Sequence, residues 1–126
     1  MDVWGPRMLS VLRIMAGLLF MEHGMSKLFG FPPSSMHPAF PGEMWFAGVL
    51  ECFGGALVAL GLLTRPIAFL LSGEMAIGYF TVHAQRGFFP MLNGGDAAVL
   101  YCFVFLYFVI AGGGEWSVDR FFYLSR

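Results

Sequence analysis

The sequence predicts an all-α membrane protein, a single domain over residues 1–126 built as a bundle of four transmembrane helices. Hydrophobic residues make up 58% of the chain and charged residues only 12%, whereas soluble domains are about 25% charged. The mean hydropathy is +0.73. Four apolar segments, each close to the roughly 20 residues that a membrane-spanning helix needs, account for most of the chain.

The first predicted helix covers about residues 9–28 and carries an unusual set of side chains. Arg13, Glu22, His23 and Lys27 lie in an otherwise apolar segment. Ionisable groups are costly inside hydrocarbon, so they usually have partners there and often mark a functional site. The rest of the chain is therefore expected to supply partners for this helix.

One side of the first helix is suited to close packing. At 100° per residue, Arg13, Gly17, Gly24 and Lys27 fall on the same side, and glycines allow another helix to approach closely. Glu22 lies on the side opposite Arg13. The helix is therefore expected either to be central in the bundle or to unwind near Gly24.

The other three predicted helices cover about residues 43–63, 66–85 and 97–111. Glu51 lies within the second and Glu74 within the third. The fourth contains no ionisable side chain and is rich in aromatic residues, which are expected to face lipid. The polar groups of the bundle should therefore come from the first three helices.

The connecting segments have recognisable turn signals. Residues 29–42 contain four prolines and form a loop that is expected to lie on the membrane surface or to cover the bundle. Residues 64–66 form a short turn, with Pro66 at the first position of the third helix. Asp96 is the predicted N-cap of the fourth helix. The tail, residues 115–126, is expected to lie in the membrane interface.

The distribution of cations predicts the orientation. Four spans place both termini on one side, where four arginines flank the helices, against two cations on the other side. The first group is Arg7, Arg65, Arg120 and Arg126, and the second is Lys27 and Arg86. The positive-inside rule then places both termini in the cytoplasm.

This connectivity gathers ionisable groups from three helices into the outer half of the membrane. They are Glu22, His23, Lys27, Glu51, Glu74, His83 and Arg86. Arg13 alone lies toward the inner half. A polar pocket that opens toward the outer side is therefore predicted.

The order and spacing of several short motifs carry a family resemblance. They are Arg13-x-x-x-Gly17-x-x-Phe20-x-x-x-Gly24-x-x-Lys27-Leu28-Phe29-Gly30, Glu51-x-x-Gly54-Gly55 and Gly61-Leu62-Leu63-Thr64-Arg65. Together they resemble the DoxX family over nearly the whole chain. The resemblance implies a four-helix protein of a bacterial-type inner membrane. It also implies a redox link, since one member is a subunit of a thiosulfate:quinone oxidoreductase and others are tied to quinone or thiol-oxidant resistance.

Glu51, His23 and His83 are the candidate catalytic residues. Glu51 is either a protonatable group that faces a quinone or another polar ligand, or the partner of Arg13 or Lys27 in an ion pair between helices. A histidine can hydrogen-bond a quinone carbonyl and exchange a proton near neutral pH, although histidines at helix ends often have no such role.

The remaining ionisable groups are assigned to a surrounding ligand-binding or polar network. They are Arg13, Glu22, Lys27, Glu74 and Arg86. Glutamate and histidine also suit zinc or iron, but the Glu-x-x-His motif of di-iron bundles is absent from the second and third helices. No metal ligand is therefore assigned.

Three functions remain open. The first is a redox-linked subunit that binds quinone. The chain contains no haem or flavin motif and no cysteine pair, so an electron-donating partner protein or a bound cofactor would be required, and the chain would be enzymatic only as a subunit of a quinone-linked oxidoreductase. The second is a non-enzymatic membrane binding or assembly protein. The third is a small proton or solute transporter that works as a homo-oligomer, in which Arg13 continues the polar path. The lipid bilayer is the expected surrounding, and no basic run suggests nucleic acid.

Overall fold

A computed structural model describes residues 3–29 and 42–123, and every regular element in this part of the chain is helical. The prediction of an all-α protein is therefore confirmed. The α-helices are α1 (Trp4–Phe29), α2 (Glu43–Leu60), α3 (Thr64–Gly78), α4 (Pro90–Asn93), α5 (Asp96–Ala111) and α6 (Val118–Tyr123). A π-helical turn (Tyr79–His83) and a 3₁₀ turn (Ala84–Arg86) extend α3.

Two of the described helical segments are long and apolar enough to cross a membrane, namely Trp4–Phe29 and Thr64–Arg86. Two further apolar helical stretches, Trp45–Leu60 and Asp96–Ala111, are shorter. Many large apolar side chains on these helices are exposed, as expected for surfaces that contact lipid rather than water. Most of the predicted Pro-rich loop, residues 30–41, lies outside the described residues.

Glycines bring α1 and α2 into direct backbone contact. A Cβ atom on Gly17 would lie 2.5 Å from the amide nitrogen of Ala59, and one on Gly55 would lie 2.6 Å from that of Met21. A Cβ on Gly24 would overlap the amide nitrogen of Cys52. Close packing at Gly17 and Gly24 is therefore confirmed. The helix continues past Gly24 to Phe29 without unwinding, because this glycine is used for packing.

The apolar core lies where α1 and α2 meet α3 and α5. Phe20 and Phe105 are almost fully buried, with ring centroids 5.0 Å apart and a T-shaped arrangement. The hydroxyl of Ser72 on α3 donates a hydrogen bond of 2.8 Å to the carbonyl oxygen of Cys102 on α5. The two helix pairs thus close around a small aromatic and aliphatic centre.

The boundaries differ from the predicted ones at several helix ends. The first helix starts at Trp4, five residues earlier than predicted, because Pro6 falls in the first turn, where proline is tolerated. The second helix ends at Leu60 because Gly61 adopts a left-handed conformation with φ of 76°. The predicted turn at residues 64–66 is wrong, since α3 already begins at Thr64.

The predicted N-cap of the fourth predicted helix is also wrong. Gly95 is the N-cap of α5 and, having no side chain, forms no side-chain capping bond. Asp96 is the first helical residue. A carboxylate in the first turn still interacts favourably with the helix dipole. The third predicted helix, about residues 66–85, keeps its α-helical geometry only to Gly78 and then widens into the π turn.

Leu63 is the one non-glycine residue with positive φ in the described chain, at 53°. This conformation costs roughly 1–2 kcal/mol for an L-residue, and the side chain is half-exposed, so little packing is lost on its removal. Leu63→Gly should therefore raise the free energy of unfolding by about 0.5–1 kcal/mol. Heat-induced unfolding in mild detergent measures it.

The exposed Leu60, in the last turn of α2, offers the matched control. Leu60→Gly places glycine in ordinary helical backbone and should lower stability by about 0.5–1 kcal/mol. Equal destabilisation by the two glycines would contradict the assigned strain at Leu63.

Candidate functional site

Polar side chains collect at the two opposite ends of the helices. We call the end where α1 finishes and α2 and α5 begin the apical end. The other end, where α1 begins, α2 turns into α3 and α5 finishes, is the basal end. Each end holds its own cluster of buried polar groups, and the two clusters differ in the partners of their buried cations, a carboxylate at one end and backbone carbonyls at the other.

The apical cluster is centred on an ion pair between α1 and α2. The ammonium nitrogen Nζ of Lys27 donates to Oε2 of Glu51 over 2.8 Å. The Glu51 side chain is 3% exposed and that of Lys27 is 17% exposed. Of the two partners that the sequence left open for Glu51, Lys27 is therefore the one in contact, and Arg13 lies at the basal end.

Glu74 on α3 brings a second carboxyl group to this pair. Its carboxyl lies within hydrogen-bonding reach of Glu51 and within electrostatic range of Lys27. One oxygen of each carboxyl, Oε1, is buried and has no hydrogen-bond partner among the described residues. Two facing carboxyl groups repel when both are ionised, so this arrangement is suited to holding a proton and to accepting a hydrogen bond from a donor.

Tyr101 on α5 borders the same cluster, and sequence reasoning missed it. Its side chain lies within electrostatic range of Glu22 and Glu51. Its ring stacks on Phe105 with centroids 5.8 Å apart. The sequence grouped it with aromatics expected to face lipid. The available signal was its depth, since Tyr101 follows the start of α5 by five residues and Glu51 follows the start of α2 by eight, which places both in the apical half.

The other predicted site residues occupy the edge of the cluster or lie beyond it. Glu22 and His23 are exposed on α1. Nδ1 of His23 is 2.8 Å from the carbonyl oxygen of Leu19, and its ring centroid is 6.1 Å from that of Tyr101. The structure thus places His23 against the tyrosine, at the rim of the apical cluster.

His83 and Arg86 belong to the turns that follow α3. His83 ends the π turn, with its ring centroid 6.3 Å from that of Tyr79. Arg86 is exposed at the end of the 3₁₀ turn. Within residues 3–29 and 42–123, no group of three or more His, Cys, Asp or Glu side chains could hold a metal ion.

The basal cluster is built around the guanidinium of Arg13, which is 1% exposed. Its Nη1 donates to the carbonyl of Gly113, and its Nη2 donates to the carbonyl oxygens of Trp116 over 2.8 Å and Ala59 over 3.3 Å. Backbone carbonyls therefore accept from both Nη atoms of this buried cation, while its buried Nε has no hydrogen-bond partner among the described residues. This arrangement uses Arg13 to fix the C-terminal segment onto α1 and α2.

Residues 112–120 form a strap across the basal end. The hydroxyl of Ser10 on α1 donates to the carbonyl of Gly113 over 3.1 Å and accepts from the amide of Trp116 over 2.8 Å. The carboxylate of Asp119 accepts from the amides of Leu63 and Thr64 over 2.7 and 2.8 Å. The strap therefore caps α3 and ties it to α1.

Apolar side chains separate the two clusters. Phe20, Val58, Leu71 and Phe105 are buried at the level between Arg13 and the apical ion pair. Both Nη atoms of Arg13 are also bonded to backbone carbonyls. With the apolar layer, this arrangement weighs against a polar path that continues from Arg13 to the apical ion pair. The apical cluster is therefore the candidate functional site.

Asp119→Ala should lower the free energy of unfolding by about 1–2 kcal/mol, the usual cost of removing a capping carboxylate. It leaves the amides of Leu63 and Thr64 without their acceptor. Thermal unfolding in detergent measures it. Asp96→Ala is the matched control, because Asp96 is an exposed carboxylate in the first turn of α5, and losing its interaction with the helix dipole should cost only about 0.5 kcal/mol. Equal losses would show that Asp119 does not cap α3.

Comparison with known proteins identifies relatives over the full length of these elements. The DoxX family model matches residues 8–84. An uncharacterized protein of Haemophilus influenzae is 43% identical, over 98% of this chain and 96% of its own. An uncharacterized membrane protein of Mycobacterium tuberculosis is 31% identical, over 92% of this chain and 82% of its own. A Bacillus subtilis protein named "Putative oxidoreductase CatD" is 25% identical, over 92% and 87% respectively. No solved structure matches the chain.

Proposed function

The chain belongs to the DoxX family of membrane proteins, and from this premise we propose that it is a redox-linked membrane subunit that binds a quinone–quinol couple. The proposed site is the apical cluster of Lys27, Glu51 and Glu74, with Tyr101 at its border. The name of the Bacillus subtilis relative as an oxidoreductase supports this direction. That this chain also takes part in an oxidoreductase reaction is part of the proposal.

One observation carries the proposal. Glu51 and Glu74 each keep a buried carboxyl oxygen that has no hydrogen-bond partner among the described residues. An unpartnered polar atom in a buried site costs free energy, so such atoms are expected to meet a ligand. A quinol offers two hydroxyl donors, and a quinone offers two carbonyl acceptors. A carboxyl group can serve both, because it donates when protonated and accepts when ionised.

Reduction of a quinone to a quinol takes two electrons and two protons. The electrons would come from an electron-donating partner protein. The protons would come from water at the apical end and would pass one at a time through Glu51 and Glu74. The ammonium of Lys27 would stabilise the carboxylate that remains after each transfer until it is reprotonated. The chain's own residues would thus relay protons and orient the quinone.

An apolar cleft of about 260 Å³ between α3 and α5 can take the hydrocarbon part of such a ligand. Met75 and Cys102 line it, each one residue along its helix from Glu74 and Tyr101, whereas no residue of the apical cluster itself lines it. A largely apolar lining is usual for a small-molecule site. In this proposal the head group meets the carboxyl pair and the tail leaves along α3 and α5.

The proposal includes an arrangement in the membrane. The four apolar helical segments all cross a bacterial-type inner membrane, with both termini in the cytoplasm, as the positive-inside rule indicates. The apical cluster then opens toward the outer side. A homo-oligomer or a partner subunit would cover part of the exposed apolar surface.

Lipid extraction of protein purified in mild detergent tests the proposal. We expect quinone to co-purify with the wild type and its occupancy to fall about tenfold or more in Glu51→Gln and in Glu74→Gln, because each variant loses a proton-exchanging group that bonds the ligand. Mass spectrometry of the extract measures the occupancy.

Glu115→Gln is the matched control, since the side chain of Glu115 lies at the basal end, where it is 37% exposed and pairs with Arg7 over 3.5 Å. It should keep the wild-type occupancy. Absence of quinone from the folded wild type, or unchanged occupancy in both apical variants, would refute the proposal and leave the cluster with a structural role in a binding or assembly protein.

A further inference from the structure

A second cleft, of about 830 Å³, lies at the basal end, away from the apical cluster. The turn before α3, the first residues of α1 and the strap enclose it, and its wall includes Thr64, Arg65 and Arg120. This volume is in the range of small-molecule sites. Neither the proposed quinone chemistry nor the apolar core uses this cleft.

The charges that face the cleft leave two arginines without a counter-ion among the described residues. Glu115 pairs with Arg7, and both oxygens of Asp119 accept amide hydrogens from the start of α3. Arg65 and Arg120 form no ion pair in residues 3–29 and 42–123, and both are exposed. The cleft therefore has two guanidinium groups that are unpaired within the described part of the chain, whereas Glu115 is paired with Arg7 and the carboxylate of Asp119, although still charged, is hydrogen-bonded to the start of α3.

The floor of the cleft holds an unpartnered hydroxyl. Thr64 is 1% exposed, and its Oγ1 has no hydrogen-bond partner among the described residues. It lies beside Gly113, where a Cβ atom would come within 3.0 Å of it. The guanidinium of Arg65 lies over the neighbouring Gly112, 3.3 Å from the position of a Cβ there. The strap thus holds a hydroxyl donor and a guanidinium next to each other.

The surroundings place this cleft at the depth of lipid head groups. At the same end, Trp4 is 63% exposed and Trp116 is 50% exposed. The guanidinium of Arg7 lies 5.0 Å from the ring centroid of Trp4 and 5.8 Å from that of Trp116. Tryptophan prefers the boundary between hydrocarbon and head groups. A ligand can therefore reach the cleft either from the lipid head groups or from the adjoining water.

We propose that the basal cleft binds a phosphate group, held by the guanidinium groups of Arg65 and Arg120 and by the hydroxyl of Thr64. Arginine suits phosphate because its planar N–H donors form charge-assisted, bidentate hydrogen bonds. The apolar part of the wall, such as Leu9 and Tyr107, contacts the remainder of the ligand. The phosphate is carried by an anionic phospholipid or by a soluble phosphate ester.

Native mass spectrometry in mild detergent tests this site with three probes. Phosphatidylglycerol presents a lipid phosphate, diacylglycerol presents the same tails without phosphate, and glycerol 3-phosphate presents a soluble ester. We expect phosphate-dependent binding that falls about tenfold in Arg65→Gln or Arg120→Gln and about fivefold in Thr64→Val. Arg86→Gln, which removes an exposed cation at the apical end, should bind as the wild type does.

The arms of the experiment separate the sources. Binding of phosphatidylglycerol alone assigns the site to lipid, and binding of glycerol 3-phosphate with the same dependence on the arginines assigns it to a soluble ester. Three results would overturn the proposal: equal binding of diacylglycerol, an equal loss in Arg86→Gln, or binding that is unchanged in Arg65→Gln and Arg120→Gln. If Arg65→Gln does not fold, Arg120→Gln and Thr64→Val decide the outcome.

Discussion

Lys27→Met is expected to lower the free energy of unfolding by about 3–5 kcal/mol, the usual cost of removing one partner from a buried ion pair. The loss is large because Glu51 is almost fully buried, with a side chain that is 3% exposed, and because Glu74 adds a second carboxyl beside it. Heat-induced unfolding in mild detergent, followed by tryptophan fluorescence, measures the change.

A double variant separates the charge from the packing. Lys27→Met combined with Glu51→Gln removes both charges and should recover most of the lost stability, since a neutral pair no longer leaves a buried carboxylate uncompensated. Glu51→Gln alone should cost less than Lys27→Met, because the lysine is more exposed and can reach toward solvent or head groups.

Arg86→Met, at an exposed cation of the same end, is the control and should change stability by less than about 0.5 kcal/mol. If Lys27→Met lowered the free energy of unfolding by no more than Arg86→Met does, the ion pair would not hold α1 to α2.

Gly24→Ala is expected to lower the free energy of unfolding by about 3 kcal/mol or more, at or above the upper end of the usual cost of overpacking. The added Cβ would overlap the amide nitrogen of Cys52 and would lie 2.8 Å from the carbonyl carbon of Glu51. Both atoms belong to the backbone of α2, so neither can rotate away and the helices must separate. Thermal unfolding and the yield of folded protein in detergent measure the effect.

Gly73→Ala is the matched control, because Gly73 lies within α3 and a Cβ there would meet no atom within 4 Å. Alanine is the better helix former, so this variant should gain about 0.5–1 kcal/mol. Similar losses from the two substitutions would show that the contact at Gly24 is looser than described.

These two predictions concern one feature of the molecule. Gly24 and Lys27 lie almost one turn apart on the same side of α1, facing the backbone of α2 around Glu51. The close approach at the glycine sets the distance over which Lys27 reaches Glu51. If the apical cluster binds quinone as proposed, Gly24→Ala should therefore also reduce quinone occupancy.

Much of the fold could be predicted from the sequence because the determining signals are local. Composition and apolar segment length predict helices in a membrane, and the 3.6-residue period places Gly17, Gly24 and Lys27 on one side of α1. The same period makes Lys27 a possible partner of Glu51. The helix ends were less predictable, because Gly61 ends α2 and Leu63 precedes α3, both in left-handed backbone conformations.

Only the tertiary structure decided which surfaces meet. Periodicity gives each helix its sides but does not pair them, so it left Arg13 and Lys27 as equal candidates for Glu51 and assigned Tyr101 to lipid. The strap could not be predicted at all. It binds Arg13 through the backbone carbonyls of Gly113 and Trp116, about 100 residues away along the chain. Every residue has a backbone carbonyl, so no pattern of side chains in the sequence identifies the carbonyls to which a buried cation will donate.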